Sequence, residues 1–274
     1  MGLFSWLFRR NKPKKIKVGL ALGSGGAKGF AELGALKAFE ENGIEFDVIG
    51  GTSIGSIIGA FYAQGYSATD IFELLKRIDF GEVANLFMMN MDTSGMYKVI
   101  DREIGSVNIE ELKKPFVTVA TEIDTGKEHV FSEGNVAIAL CASSSYPPFF
   151  KPVVIDGKRY VDGAFTNSIP ADHVKKLGAD YIVGIDLSTH ESGSGLLNRL
   201  FPTFRTDVKE PWAKGYEFSD VMLHPNLKGY RPISFRRGNE MYDIGYNHAL
   251  EFVSQIKSDI KDLTYGKNKN KSKK

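Results

Sequence analysis

The chain holds a single cysteine, Cys141, among 274 residues. That excludes an intrachain disulfide and fits a reducing compartment. There is no C-x-x-C pair and no histidine cluster along the sequence, so no structural metal is expected. No stretch reaches 18 consecutive apolar residues, which leaves no membrane-spanning helix to be read. Acidic residues are missing from both ends. Residues 1–17 carry Arg9, Arg10, Lys12, Lys14, Lys15 and Lys17 without an acid, and residues 266–274 carry five lysines without one. Without these eleven cations the body has 24 basic and 33 acidic residues, a net charge of −9, which the overall +2 conceals.

An acidic globule with basic tails is drawn to polyanions through the tails alone. The first tail also holds Leu3, Phe4, Trp6, Leu7 and Phe8 directly before Arg9 and Arg10. An apolar segment joined to a basic one is the two-signal composition of a peripheral membrane anchor. A secretory signal would place its positives before the apolar run, the reverse of the order here. Trp6 occupies the position where N-myristoylation needs Ser or Thr, so Gly2 is a poor acceptor. The expected location is cytoplasmic, at the inner face of the membrane. No nucleic-acid partner is expected, because the body is acidic and no nucleic-acid fold motif is present.

From Ile16 onward, short apolar runs alternate with helical periodicity. Lys17–Leu22, Phe46–Gly50, Phe116–Thr121 and Tyr181–Asp186 read as buried strands, and His129–Phe131 as the hairpin partner of the third. Ala27–Asn42, Gly55–Gln64, Ser67 to about Ile78, and Tyr242 to about Leu263 read as helices. Alternation of this kind predicts a three-layer α/β/α sandwich around a mainly parallel sheet. The expected layout is a tail over 1–15, one domain over 16–265 and a lysine-rich tail over 266–274. The Met-rich stretch 80–100 and the irregular stretch 188–240 read as loops that cover a site.

Two glycine-rich turns follow the first two strands, at the carboxyl ends where open α/β sheets place their sites. Gly51-Thr52-Ser53-Ile54-Gly55 has the form G-x-S-x-G. Small residues two before and two after a serine allow a sharp strand-to-helix turn with an exposed nucleophile, or simply a tight turn with Ser53 as helix cap. Gly23-Ser24-Gly25-Gly26-Ala27-Lys28-Gly29 opens the preceding helix, and its bare amides suit an oxyanion or a phosphate. A nucleotide P-loop would need Lys-Ser/Thr after the last glycine, where Phe30 stands.

A nucleophilic serine needs a base, and no histidine sits on a late loop suited to that role. His224 and His248 are the only late ones, and His248 lies inside a helical run. The better candidate is an acid. Val153–Val161 reads as a hairpin turning at Asp156-Gly157, which accounts for Asp156. Asp162, at the end of the returning strand and followed by Gly163 and Ala164, has no such explanation.

These motifs, taken in order, resemble the bacterial patatin-like phospholipases over roughly residues 16–190. The resemblance rests on GSGGAKGF, GTSIG and the DGA triplet at 162–164, with CASSSYPPFFKPV between them. It implies a Ser–Asp dyad without histidine: Ser53 as nucleophile, Asp162 as base, and oxyanion amides from Gly25, Gly26 and Ala27. Ser24 and Lys28 depart from the Gly and Arg common in the family's loop. Lys28 keeps the charge without a planar fork, so it is a weaker phosphate clamp. Ala164 stands where some members have Gly. The implied activity is hydrolysis of lipid acyl esters, with a phospholipid substrate and neither metal nor cofactor. Two other functions stay open on the sequence: a small-ester or thioester hydrolase or acyltransferase using the same dyad, and a non-catalytic module binding phosphate or nucleotide at the glycine loop.

Overall fold

Val18–Leu22, strand β1, is an unbroken apolar run with all five residues buried, as a strand covered on both faces requires. This computed structural model describes residues 13–77, 91–188, 190, 199–201 and 204–266. The apolar segment 3–8, the lysine-rich 267–274 and most of the Met-rich stretch lie outside the described residues.

β1 pairs in parallel with β2 (Val48–Gly51) and with β7 (Tyr181–Ile185). Parallel neighbours extend the sheet to β3 (Phe116–Glu122) on one side and β8 (Val221–Leu223) on the other. Three antiparallel strands gather around β3: β4 (Glu128–Phe131) and β6 (Lys158–Asp162) pair with it, and β5 (Val153–Ile155) pairs with β6. The strand order is β5-β6-β3-β2-β1-β7-β8, with β4 paired to β3 off that path. The sheet is thus parallel at its centre and mixed at one side.

Side chains of β1 alternate between two cores, following the period of two in a strand. Val18, Leu20 and Leu22 join the larger core, which includes residues of α1 (Gly29–Glu41), α2 (Ile54–Gln64) and α8 (Gly238–Thr264). Ala21, with Val48 and Ile182, packs against Ile169, Ala171 and Val174 at α6 (Ala171–Lys176). Helices therefore cover both faces, and the α/β/α layering holds. Leu20, Leu22 and Ile49 are fully buried, and burial of each such side chain contributes about 1.5–3 kcal/mol.

Differences from the sequence expectation are local. The stretch 80–100, expected as a loop, contributes residues to α4 (Ser94–Ile104), which follows α3 (Ala68–Arg77). The stretch 188–240 contains α7 (Ala213–Phe218) and β8. Elements of six and three residues are too short to show a period in sequence. α8 begins at Gly238, before the expected Tyr242. Lys14 is already fastened to the body: its amide donates to Thr264 O at 3.0 Å, and its ammonium lies 2.6 Å from Asp180.

Candidate active site

Leu22 and Gly51 are register partners, so the turns leaving β1 and β2 emerge side by side. A third chain end arrives there from the opposite direction. β3 bonds β2 over Phe116–Thr118 and bonds β6 over Ala120–Glu122, while β4 spans Thr118–Thr121. A strand has only two edges, so β2 and β6 share the one that β4 leaves. The two run toward each other, and Asp162 comes to rest just beyond the end of β2.

Ser53 sits in that gap with φ 56° and ψ −124°, a conformation disfavoured for any residue with a Cβ. Backbone strain of this kind costs on the order of 1–3 kcal/mol and persists where surrounding contacts enforce it. The enforcing contacts are visible. The Ser53 N–H donates to Ser143 Oγ at 2.9 Å, and Thr118 Oγ1 donates to the same oxygen at 3.0 Å. Ser143 closes α5 (Val136–Ser143) and is fully buried. Gly51 and Gly55 permit the sharp turn: a Cβ on Gly51 would stand 2.1 Å from Gly55 O, and one on Gly55 would stand 2.6 Å from Gly23 O. α2 starts at Ile54, so its N-terminal end lies at the serine, where its dipole favours negative charge.

The Ser53 hydroxyl donates to Asp162 Oδ2 at 2.6 Å. Asp162 is 1% exposed, and its other oxygen accepts from the Ala164 N–H at 2.8 Å. Burial drives its pKa up to about 7, against the opposing effect of these two hydrogen bonds. Its own N–H donates to Ser145 O, and its carbonyl accepts from Thr121 Oγ1 at 3.0 Å. Thr52 ties the elbow to the segment after β6, donating to Asn167 O at 2.9 Å. Gly163 and Ala164 begin a short 3-10 turn capped by Asp162.

The glycine loop lies alongside. Ser24 N–H is anchored to Ser168 O at 3.0 Å, and Gly23 N–H to buried Glu32 Oε1 at 2.7 Å. Gly26 has φ 58°, and Pro232 O would be 2.4 Å from a Cβ there. Ala27 N–H donates to that same Pro232 oxygen at 2.7 Å, a bond an oxyanion would have to displace. Of the three amides expected to receive an oxyanion, that of Ala27 is thus already engaged. Lys28 is buried with its amine on Leu187 O at 3.1 Å, and Gly29 follows as the first residue of α1.

A model of the patatin-like phospholipases matches residues 20–175, more than half of the chain and all of the motifs above. The chain belongs to the patatin-like phospholipase family. Relatives include "Lysophospholipase NTE1" of Pyricularia oryzae, 29% identical over 297 residues, covering 94% of this chain and 20% of that protein. "Lysophospholipase nte1" of Aspergillus fumigatus is 28% identical over 281 residues, covering 88% and 18%. The chain thus spans about a fifth of the length of these relatives. VipD from Legionella pneumophila shares the fold, with a TM-score of 0.59 at 13% identity over 89% of this chain and 68% of that one. So does human GIVD cytosolic phospholipase A2 crystallised with methyl gamma-linolenyl fluorophosphonate, at 0.51 and 11% over 92% and 60%. The patatin-like family carries the coarse chemistry, hydrolysis of lipid esters.

Neither His224 nor His248 is bonded to Ser53; among the described residues its hydroxyl meets a carboxylate. Three contributors escaped the sequence. Ser143 lay within the CASSSYPPFF block without a signal for its role. Glu32 looked like an ordinary helix residue. Pro232 comes from a remote segment with no motif.

Proposed function

We propose that this patatin-like chain is a serine acyl hydrolase that cleaves carboxylic esters of membrane lipids, with Ser53 as nucleophile and Asp162 as its base. The observation that carries this is the 2.6 Å bond from a strained, solvent-reachable serine to a buried carboxylate. An aspartate at its ordinary pKa is too weak a base, and burial raises Asp162 to about 7, near the working range.

In the first half-reaction Ser53 Oγ attacks the ester carbonyl while its proton passes to Asp162 Oδ2. The tetrahedral oxyanion is received by the Gly25 and Gly26 amides, with the N-terminal end of α2 adding favourable potential. Asp162 returns the proton to the departing alkoxide, and the acyl group stays on Ser53. Water then attacks the acyl-enzyme while Asp162 takes its proton, and Asp162 passes that proton to Ser53 Oγ as the carboxylic acid leaves, which restores the free serine. The lysophospholipase names of the relatives and the family itself support a lipid substrate. The apolar and basic N-terminal tail supports approach to an anionic membrane from the cytoplasmic side. No helix among the described residues is long and apolar enough to cross a membrane.

Intact-mass analysis after incubation with a fluorophosphonate tests the assignment. A single adduct on wild type, absent from Ser53→Ala and much slower on Asp162→Asn, is expected. An unlabelled wild type, in detergent as in buffer, would overturn it in favour of ligand binding at the glycine loop. Equal labelling of Asp162→Asn would remove the dyad.

A further inference from the structure

Asp186, at the carboxyl end of β7, is 1% exposed and meets three side chains from separate parts of the chain. His190 Nε2 is 2.6 Å from its Oδ2, Tyr216 Oη is 2.9 Å away and His224 Nδ1 is 3.2 Å away. All three converge on the same oxygen, while Oδ1 accepts the Ser188 N–H at 2.8 Å. A carboxylate oxygen offers about two lone-pair directions, so three donors overload it. A histidine that turned its lone pair inward would instead face the anion. A cation among these groups removes both difficulties. The two imidazoles and Oδ2 then point lone pairs at the ion, and Oδ2 keeps one hydrogen bond, from Tyr216.

We propose that Asp186, His190 and His224 bind one divalent metal ion of the zinc class, with Tyr216 orienting the carboxylate. The three ligand atoms lie within 4.8 Å of one another. Ligands at about 2.0–2.2 Å around tetrahedral zinc stand roughly 3.4 Å apart, so a small opening of the His190–Asp186 contact admits the ion. Two histidines, one carboxylate and a water complete four-coordination. The ring of His190 stacks on Trp212 at 4.9 Å and 12°, which fixes its plane for ligation.

A second trio shows the contrast. Glu128, Asp172 and His173 also cluster within 4.8 Å, but Lys214 Nζ lies 2.6 Å from Glu128 and Lys176 Nζ 3.2 Å from Asp172. Those carboxylates already hold cations supplied by the chain. The Asp186 site would join the end of β7 to the residue following β8. Leu187, next in the chain, backs the glycine loop at Gly25 and accepts from Lys28. Metal binding would brace that wall.

The test uses the full chain stripped with a chelator, then equilibrated with Zn2+ or Co2+. One zinc per chain, the visible absorption of tetrahedral cobalt and a raised melting temperature are expected. The double variant His190→Ala/His224→Ala loses the cobalt band and at least about tenfold in zinc affinity. His129→Ala, on β4, binds as wild type does. Circular dichroism verifies that each variant is folded. Absence of saturable zinc binding by wild type, or wild-type affinity in the folded double variant, would overturn the proposal.

Discussion

Ser53 and Asp162, separated by 109 residues, share a 2.6 Å hydrogen bond in which the hydroxyl donates to a carboxylate sealed from solvent. The aspartate is desolvated on a fixed backbone, and the serine is aimed at it by a strained turn. Each of these features has a measurable consequence.

Asp162 accepts a proton only when ionised. With its pKa raised to about 7, kcat/KM should climb with pH through that value and level off above it. Asp162→Asn should lower kcat by about 10²–10⁴-fold, the range for loss of a positioned base. A flat profile between pH 5 and 9 would contradict the role.

The same shift governs stability. Between the unfolded value near 3.8 and about 7, the folded state binds more protons than the unfolded state at this position. Stability contributed by Asp162 is therefore full at acid pH and is lost as pH rises. Asp162→Asn has no such loss, so its melting temperature should gain on wild type from pH 4 to pH 8. A constant difference across that range would show that Asp162 is not desolvated.

Ser143 positions Ser53 rather than touching substrate. Ser143→Ala leaves the Ser53 N–H without its acceptor, at a cost of about 1–3 kcal/mol. Relaxation of the elbow should lower kcat while KM changes little. Kinetics at temperatures well below unfolding separate this from simple destabilisation.

Gly26 holds a positive φ against the Pro232 carbonyl. Gly26→Ala should destabilise the fold by about 1–2 kcal/mol from the left-handed conformation alone, and by more once the methyl displaces Pro232. Slower fluorophosphonate labelling should accompany it, because the displaced loop carries the proposed oxyanion amides.

Glu32 is wholly buried, and desolvation pushes its pKa well above the ordinary carboxylate value. A glutamine there keeps a side-chain oxygen for the Gly23 N–H and buries no ionisable group. Glu32→Gln should melt close to wild type, whereas Glu32→Ala removes the acceptor of Gly23 N–H and should melt lower. A calorimetric comparison of the three proteins decides this.

Much of the molecule is legible in its sequence because local chemistry is strict there. An unbroken apolar run such as Val18–Leu22 has no place but a doubly covered strand. The G-x-S-x-G spacing around Ser53 is enforced at 2.1 Å by Gly55 O against any side chain on Gly51. Asp156-Gly157 marks a two-residue hairpin turn, and that turn leaves Asp162 as the unexplained acid. Those features marked the core strands, the elbow and the acid candidate, and the family resemblance paired that acid with Ser53.

The tertiary structure decided what no local pattern encodes. Asp162 reaches Ser53 because β2 and β6 run toward each other along one edge of β3, a consequence of long-range pairing. Its raised pKa follows from what is packed around it, and the acceptor for the Ser53 amide comes from the end of α5. The gathering of Asp186, His190 and His224 requires the ends of two neighbouring strands, β7 and β8, to meet. Hydrophobic period and turn chemistry act over a few residues, whereas desolvation and convergence of side chains depend on strands paired across the whole chain.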